Sequence, residues 1–305
     1  MTIATTQLTI TPKSPTIGAE ISGVDLAQPL TSELAAELRE ALLRWKVVVF
    51  RDQHITTEQH VDFASHFGEL EVHPFAAKKP GHPEVLVLDH DADNVGTENV
   101  WHSDVTWRQE PSLGSVLRMI ECPEIGGDTL FADMYAAYDG LPDEIKDEID
   151  GRTARHDFEG FRKRAERRGA SQEELEEFDR QYPHPHHPVV RTHPETGRRG
   201  LYVNKGFTRE IDDMDPERSA ELLDMLFRQA HFPEYQVRIN WDPGTIIFWD
   251  NRSAQHYAVS DYWPNRRRAE RVTIIGDTPY FDPDQPVTLE QAAPFRGAIQ
   301  RYAGI

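Results

Sequence analysis

The chain has 305 residues, 38% of them hydrophobic and 10% aromatic, with 52 acidic side chains against 33 basic ones and a net charge of −19. That composition excludes a disordered chain, and the negative field argues against a nucleic-acid partner, so any anionic ligand needs a local basic cluster. A single cysteine, Cys122, excludes an intrachain disulfide and points to a reducing cytoplasm; MTIATTQLTITPKSP lacks a signal-peptide pattern, and no run reaches the roughly 18 apolar residues of a membrane span.

Residues 1–30 read as short strands and turns, with Gly18 and Gly23 at the turns. Leu34, Leu38, Leu42 and Trp45 recur at helical spacing and predict a helix over 31–46 with Thr31 or Ser32 as its cap. A short buried strand follows at 47–50. A second helix is predicted at about 57–67, where Thr56 and Gln59 form a capping box. Residues 71–99 are rich in Gly, Pro, Asp and Asn around one strand at 85–88, and DHDADNVGTEN reads as a surface loop. Strands at 115–120 and 129–131 flank the turn CPEIGGD, and a short helix follows at 142–149 with proline in its first turn.

The most polar region, 152–187, reads as a helical insertion packed over the core as a lid, with Ser171 and Glu174 as a capping box. Later strands are predicted at 188–191, 201–204, 236–241, 245–249 and 271–275, with a helix near 216–230 capped by Asp215. Strands at short intervals, with helices gathered mainly near the start, predict a single domain over 1–305. Its fold class is mainly β, a sandwich or barrel with helical additions.

Within this frame WHSDVTW at 101–107 stands out. In an extended segment His102 and Asp104 point the same way, because side chains in a strand repeat every second residue. Such a pair supplies two of the three protein ligands of an open metal site. It is equally what a His–Asp hydrogen bond at a sheet edge looks like, and the residues alone leave both readings open. His60 and Asp62 share the spacing but lie in a predicted helix, where they stand about 200° apart. His184, His186 and His187 are dense but interleaved with Pro183, Pro185 and Pro188, which predicts an irregular surface stretch without a fixed fan of ligands. Cys122, beside Pro123, reads as an inert thiol.

The segment 245–275 carries more. TIIFW is a buried-type strand ending in the turn DNR, after which a strand resumes around His256. If the last strand reaches back through NRRRAERVTII, then Arg267, Ala269, Arg271 and Thr273 share one face, and Arg266, Arg268 and Glu270 the other. Two guanidinium groups separated by an alanine then hold two different anions in one cavity.

Taken together, PTIGAEISGVDL, VVVFRDQ, HFGEL, WHSDVTW, GGDTLF, HPVVRTHPETG, NKGFT and WDNRSAQHYAVSDYWPNRRRAERVT resemble the taurine dioxygenase group of non-haem iron(II), 2-oxoglutarate-dependent oxygenases over nearly the whole chain. The resemblance implies a double-stranded β-helix, or jelly roll, with His102, Asp104 and His256 as the iron ligands. By the same match Thr129 and Arg267 bind the distal carboxylate of the co-substrate 2-oxoglutarate. Arg271, His73 and Phe207 line the pocket for a small organic anion. The chain departs from the family at Ala76, where relatives carry tyrosine, and at Glu98, where they carry asparagine.

The implied reaction couples O₂ and oxidative decarboxylation of 2-oxoglutarate to hydroxylation beside a heteroatom. A sulfonate such as taurine then leaves sulfite and an aldehyde. Relatives acting on alkyl sulfates or aryloxyalkanoates share the same core, and a non-catalytic jelly roll that binds a keto acid is the remote alternative. A homo-oligomer is compatible with the sequence and not fixed by it.

Overall fold

A computed structural model of the chain describes residues 8–74, 77–96 and 98–289. It is mainly β with helices. β1 (Thr9–Pro12) and β2 (Ala19–Ser22) open it. α1 (Ser32–Trp45) starts where Thr31 Oγ1 accepts the Leu34 N–H and ends at Lys46, whose φ of 62° is left-handed. β3 (Val47–Phe50) is buried throughout, and α2 (Thr57–Ser65) carries the predicted Thr56–Gln59 capping box. From α2 the His60 ring enters the core and bonds the Val116 carbonyl, whereas the Asp62 side chain is 64% exposed. Helical geometry separates that pair, as expected.

Next come β4 (Lys78–Lys79), β5 (His82–His90), β6 (Ser112–Glu121) and β7 (Thr129–Asp133). They are followed by α3 (Met134–Asp139), α4 (Asp143–Ile149) and β8 (Thr153–His156). α5 (Glu159–Arg167) and α6 (Gln172–Gln181) form a helical hairpin, with the Ser171–Glu174 capping box present. β9 (His186–Pro188), β10 (Val190–Thr192), β11 (Arg199–Leu201), β12 (Thr208–Ile211) and α7 (Pro216–Arg228) lead on to β13 (Gln236–Ile239). β14 (Ile246–Asp250), β15 (Ala254–Ala258) and β16 (Arg267–Ile275) follow.

An eight-stranded sheet runs in the order β1-β2-β3-β14-β6-β16-β5-β4, and a three-stranded sheet in the order β13-β7-β15. They share one apolar layer, in which Val49, Leu117, Ile247 and Ala269 of the large sheet meet Phe131, Val237, Ile239 and Ala254 of the small one. The far face of the large sheet is covered by α1 and α2, through Leu38, Leu42 and Phe63 against Val48, Phe248 and Val272. The far face of the small sheet is covered by α3 and α7, through Met134, Leu222 and Leu226 against Ala132. Each such buried side chain contributes about 1.5–3 kcal/mol. Covering both outer faces leaves the space between the sheets to hold the site.

Three local expectations are corrected. The 101–107 segment is not a strand: His102 makes a single bridge to His256, and residues 104–107 form a turn in which Val105 has φ 49°. Residues 183–188 are not simply irregular, because β9 pairs with β8 and buries His187. Among the described residues, five of the seven α-helices lie between β7 and β13 and not near the start; these helices cover the small sheet or hang beside it. Strand alternation along β16 holds, and the strand does reach back to Arg267. Among the described residues no helix is long and apolar enough to cross a membrane.

Candidate active site

His102 and His256 face each other across a bridge in which each residue donates its N–H to the other's carbonyl, at 3.2 and 2.9 Å. In such a hydrogen-bonded antiparallel pair both side chains leave on the same face. Their rings accordingly lie 4.2 Å apart between centroids. The Nδ1 of His102 is 2.7 Å from the Val100 carbonyl, which fixes Nδ1 as donor and leaves Nε2 as the free acceptor. Asp104 reaches the same place from the following turn, with Oδ1 3.8 Å from His102 Nε2 and 3.9 Å from His256 Nε2.

Convergence of Asp104 is not a product of strand periodicity. Its backbone is gripped by Asn251, the residue that follows β14: Oδ1 of Asn251 accepts the Asp104 N–H at 2.6 Å, and Nδ2 donates to the Asp104 carbonyl at 2.9 Å. The same Nδ2 reaches Ser112 O at 3.2 Å and Ser112 Oγ at 3.0 Å, tying the turn to the start of β6. The carboxylate itself accepts from Ser115 Oγ at 3.1 Å and from Arg271 Nη1 at 2.8 Å. Burial opposes its ionisation, but the Arg271 guanidinium prevails and holds Asp104 well below the usual carboxylate range. Burial likewise pushes His256 down to about 3, so its imidazole is neutral and able to ligate at neutral pH.

The donor atoms of His102, Asp104 and His256 lie within 4.8 Å of one another. Two imidazoles and one carboxylate on one side of a buried point fit a divalent iron with its opposite face left for other ligands. This donor set opens into a cavity of about 650 Å³ between the two sheets.

The remaining predicted residues line that cavity. Thr129 begins β7, with its Oγ1 accepting from Trp241 Nε1 at 3.0 Å. Arg267 lies buried at the start of β16, 5.6 Å above the Trp241 ring, with Nε donating to the Gly127 carbonyl at 3.1 Å. Gly127 has φ 71°, and a Cβ there would stand 3.2 Å from Arg267 Cδ, so glycine lets this carbonyl approach. Arg271 follows four residues on along the same face, past Ala269. Behind both, Glu270 points the other way and pairs with Arg118 and Lys79 at 2.6 Å each. His73 is buried 6.2 Å from the Trp107 ring and 6.0 Å from Phe161; burial, then Arg271 and Arg108, lower its pKa to about 3. Phe207 meets the His102 ring edge-on at 6.3 Å and stacks on Phe161 at 6.2 Å. Glu98 lines the chamber and lies 3.4 Å from His90; Ala76 lies outside the described residues. The structure thus brings together all eight residues expected at the site.

Sequence reasoning passes over Asn251, Ser115, Trp241 and Phe178. Asn251 carried a usable signal, since a buried asparagine directly after a strand and five residues before a candidate ligand needs partners for a whole amide. Phe158, Phe161 and Phe178, from α5–α6 and its approach, line the chamber together with Phe207. Cys122 is half-buried, with Sγ 3.5 Å from the Trp241 carbonyl, and burial raises its thiol pKa, as an inert thiol requires.

Residues 9–273 match the family described as taurine catabolism dioxygenase TauD, TfdA family. An alkylsulfatase of Acinetobacter baylyi is 34% identical over 278 residues, spanning 90% of this chain and 86% of that protein. An alpha-ketoglutarate-dependent sulfonate dioxygenase of Saccharomyces cerevisiae is 31% identical over 291 residues, covering 90% of this chain and 69% of its own length. Among solved structures, a putative alpha-ketoglutarate-dependent taurine dioxygenase from Burkholderia xenovorans superposes with a TM-score of 0.79 at 37% identity, covering 92% of this chain and 97% of that one.

Proposed function

The chain belongs to the taurine catabolism dioxygenase TauD, TfdA family, and we propose that, as an iron(II)- and 2-oxoglutarate-dependent dioxygenase, it hydroxylates a small organic anion beside a sulfur-bearing group, a sulfonate such as taurine first among them. One observation carries the reading. Arg267 and Arg271 stand four residues apart on one face of β16 and open into the chamber that holds His102, Asp104 and His256. Iron bound by those three residues supplies the activation of O₂ that 2-oxoglutarate decarboxylation drives.

The protein's own side chains do the rest. Arg267, desolvated and fixed by Gly127, binds the distal carboxylate of 2-oxoglutarate with help from the Thr129 hydroxyl. Arg271 holds the anionic head of the organic substrate, with the neutral ring of His73 beside it. Phe207 and Phe161 pack on the carbon chain and keep bulk water from the reacting carbon. The two facing sheets are read as the double-stranded β-helix, one domain with the α5–α6 hairpin as its lid.

A second substrate class, the alkyl sulfate esters, is favoured by the cavity of about 650 Å³ with its phenylalanine walls, which is roomy for taurine. The test is to incubate the purified protein with Fe(II), ascorbate and 2-oxoglutarate and a panel of sulfonates, sulfate esters and aryloxyalkanoates. Succinate, sulfite, sulfate and phenol are measured together. Succinate with sulfite is expected from sulfonates; succinate with sulfate alone moves the assignment to the esters. No succinate with any member sinks the reading.

A further inference from the structure

The face of the α5–α6 hairpin turned to the chamber carries charge that iron and 2-oxoglutarate binding do not use. Phe158, Phe161, Arg162, Ala165, Arg168 and Gly169 all line the cavity. Their spacing of three and four residues is that of one helical face. Arg164 joins them, its guanidinium 5.8 Å from the Phe161 ring.

The order of these groups in space follows from their contacts. The candidate ligand His102 touches Phe207, Phe207 stacks on Phe161, and Phe161 lies under Arg164. The chamber therefore has a cationic inner region on β16, an aromatic middle, and a cationic outer region on α5. In a chain of net charge −19 the outer arginines are a local exception.

The acidic helix α6 answers this charge only in part. Arg162 pairs with Asp179 at 3.3 Å. Glu174, the α6 carboxylate that reaches the chamber among the described residues, is engaged in capping its own helix, accepting from Ser171 N at 2.7 Å and Ser171 Oγ at 3.0 Å. Arg168 takes part in no ion pair among the described residues.

We propose that this face of α5 is a second anion subsite and that the preferred substrate is ditopic. One anionic head sits at Arg271, an apolar or aromatic middle lies against Phe207 and Phe161, and a second anionic group meets Arg162 and Arg168. The inference rests on the organic-anion reading above and moves its preferred member from taurine, whose second group is a cation, to a sulfonate with acidic groups at both ends. A surface guanidinium binds a free anion weakly, but once the first head is anchored the second encounter is intramolecular and its effective concentration is high.

Hexanesulfonate and the hexane disulfonate with a sulfonate at each end are matched probes. Their binding to the full chain, loaded anaerobically with Fe(II) and 2-oxoglutarate, is measured by calorimetry, and the succinate each supports is measured in air. The disulfonate is expected to bind about tenfold more tightly, and the double variant Arg162→Gln, Arg168→Gln to bring that ratio close to one. Equal binding of the two probes by the natural chain overturns the subsite. So does an equal loss for both probes in the variant, the result expected if the arginines only steer anions toward the mouth. Binding of neither probe, with 2-oxoglutarate still bound, overturns the organic-anion reading itself and the subsite with it.

Discussion

Asn251 holds Asp104 by both polar atoms of its backbone, accepting the N–H at 2.6 Å and donating to the carbonyl at 2.9 Å. The clamp sits immediately before Val105, whose left-handed φ of 49° marks where the chain turns away. Asn251 also stands five residues before His256, so one turn after β14 holds one candidate ligand by hydrogen bonds and leads into the strand that bears another. Asn251→Ala leaves two buried backbone groups of Asp104 without partners, at a cost of about 1–3 kcal/mol. Iron(II) affinity is expected to fall roughly 10- to 100-fold, measured by anaerobic competition with a chromogenic chelator. An unchanged affinity would show that the turn holds its shape without the clamp.

On the proposed assignment Arg267 and Arg271, the β16 arginines that line the chamber, divide the anions between them. Arg271→Ala is expected to raise KM for the organic anion by roughly 10- to 100-fold, the worth of a charge-assisted hydrogen bond, and to affect 2-oxoglutarate far less. Arg267→Ala should do the reverse. Steady-state succinate formation with each substrate varied in turn reads both constants, and a crossed result exchanges the two roles.

His102→Ala removes one of the two imidazoles of the donor set and is expected to abolish succinate formation. Anaerobic iron titration should show the loss directly. Turnover that survives the substitution rules His102 out as a ligand.

Glu270 provides the contrast, since it sits between Ala269 and Arg271 but faces away from the chamber, toward Arg118, Lys79 and Thr57. Glu270→Ala strips a buried carboxylate from a buried guanidinium and is expected to lower stability by about 3 kcal/mol. Urea unfolding measures that loss. A change in substrate KM without a change in stability would contradict the assignment of the two faces of β16.

Buried histidines set the acid limit of the fold. Burial, followed by the Arg118 charge, pushes His60 down to about 4, burial does the same for His187, and burial places His156 well below its ordinary 6.5. Each is neutral in the folded chain and takes up a proton only on unfolding once the pH drops below 6.5. Stability is therefore full above about pH 6.5 and falls as the pH drops toward 4, by about 1.4 kcal/mol per pH unit for each histidine. Thermal melts of metal-free protein across this window should show the slope. His60→Gln, which keeps a donor for the Val116 carbonyl, should flatten it, and an unchanged slope would remove His60 from the account.

Much of the inner site is legible in the sequence because strand alternation is a strict code. Arg267 and Arg271 share a face of β16 for a reason that needs no tertiary information. The capping boxes at Thr56 and Ser171 are equally local. WHSDVTW is the instructive case: its residues are the expected ones, yet their convergence comes from a bridge to His256 and a clamp from Asn251, both about 150 positions away. No local periodicity encodes such contacts. The same limit hides β8 and β9, where proline-rich spacing obscures a pairing that only the partner strand defines.

That pairing has a consequence for how the protein can change. β8 and β9 run antiparallel, with Thr153 opposite Pro188 and Arg155 opposite His186, so the chain enters and leaves the α5–α6 hairpin side by side. The hairpin is thus a cassette on a closed stem. A change confined to it leaves the β8–β9 pairing in place and reaches the 101–107 turn through Trp107, which packs on Phe158, Phe161 and Tyr182. On the proposed assignment the hairpin can tune only the far end of a bound substrate, because Arg271, which would hold the first anionic head, is itself bonded to Asp104.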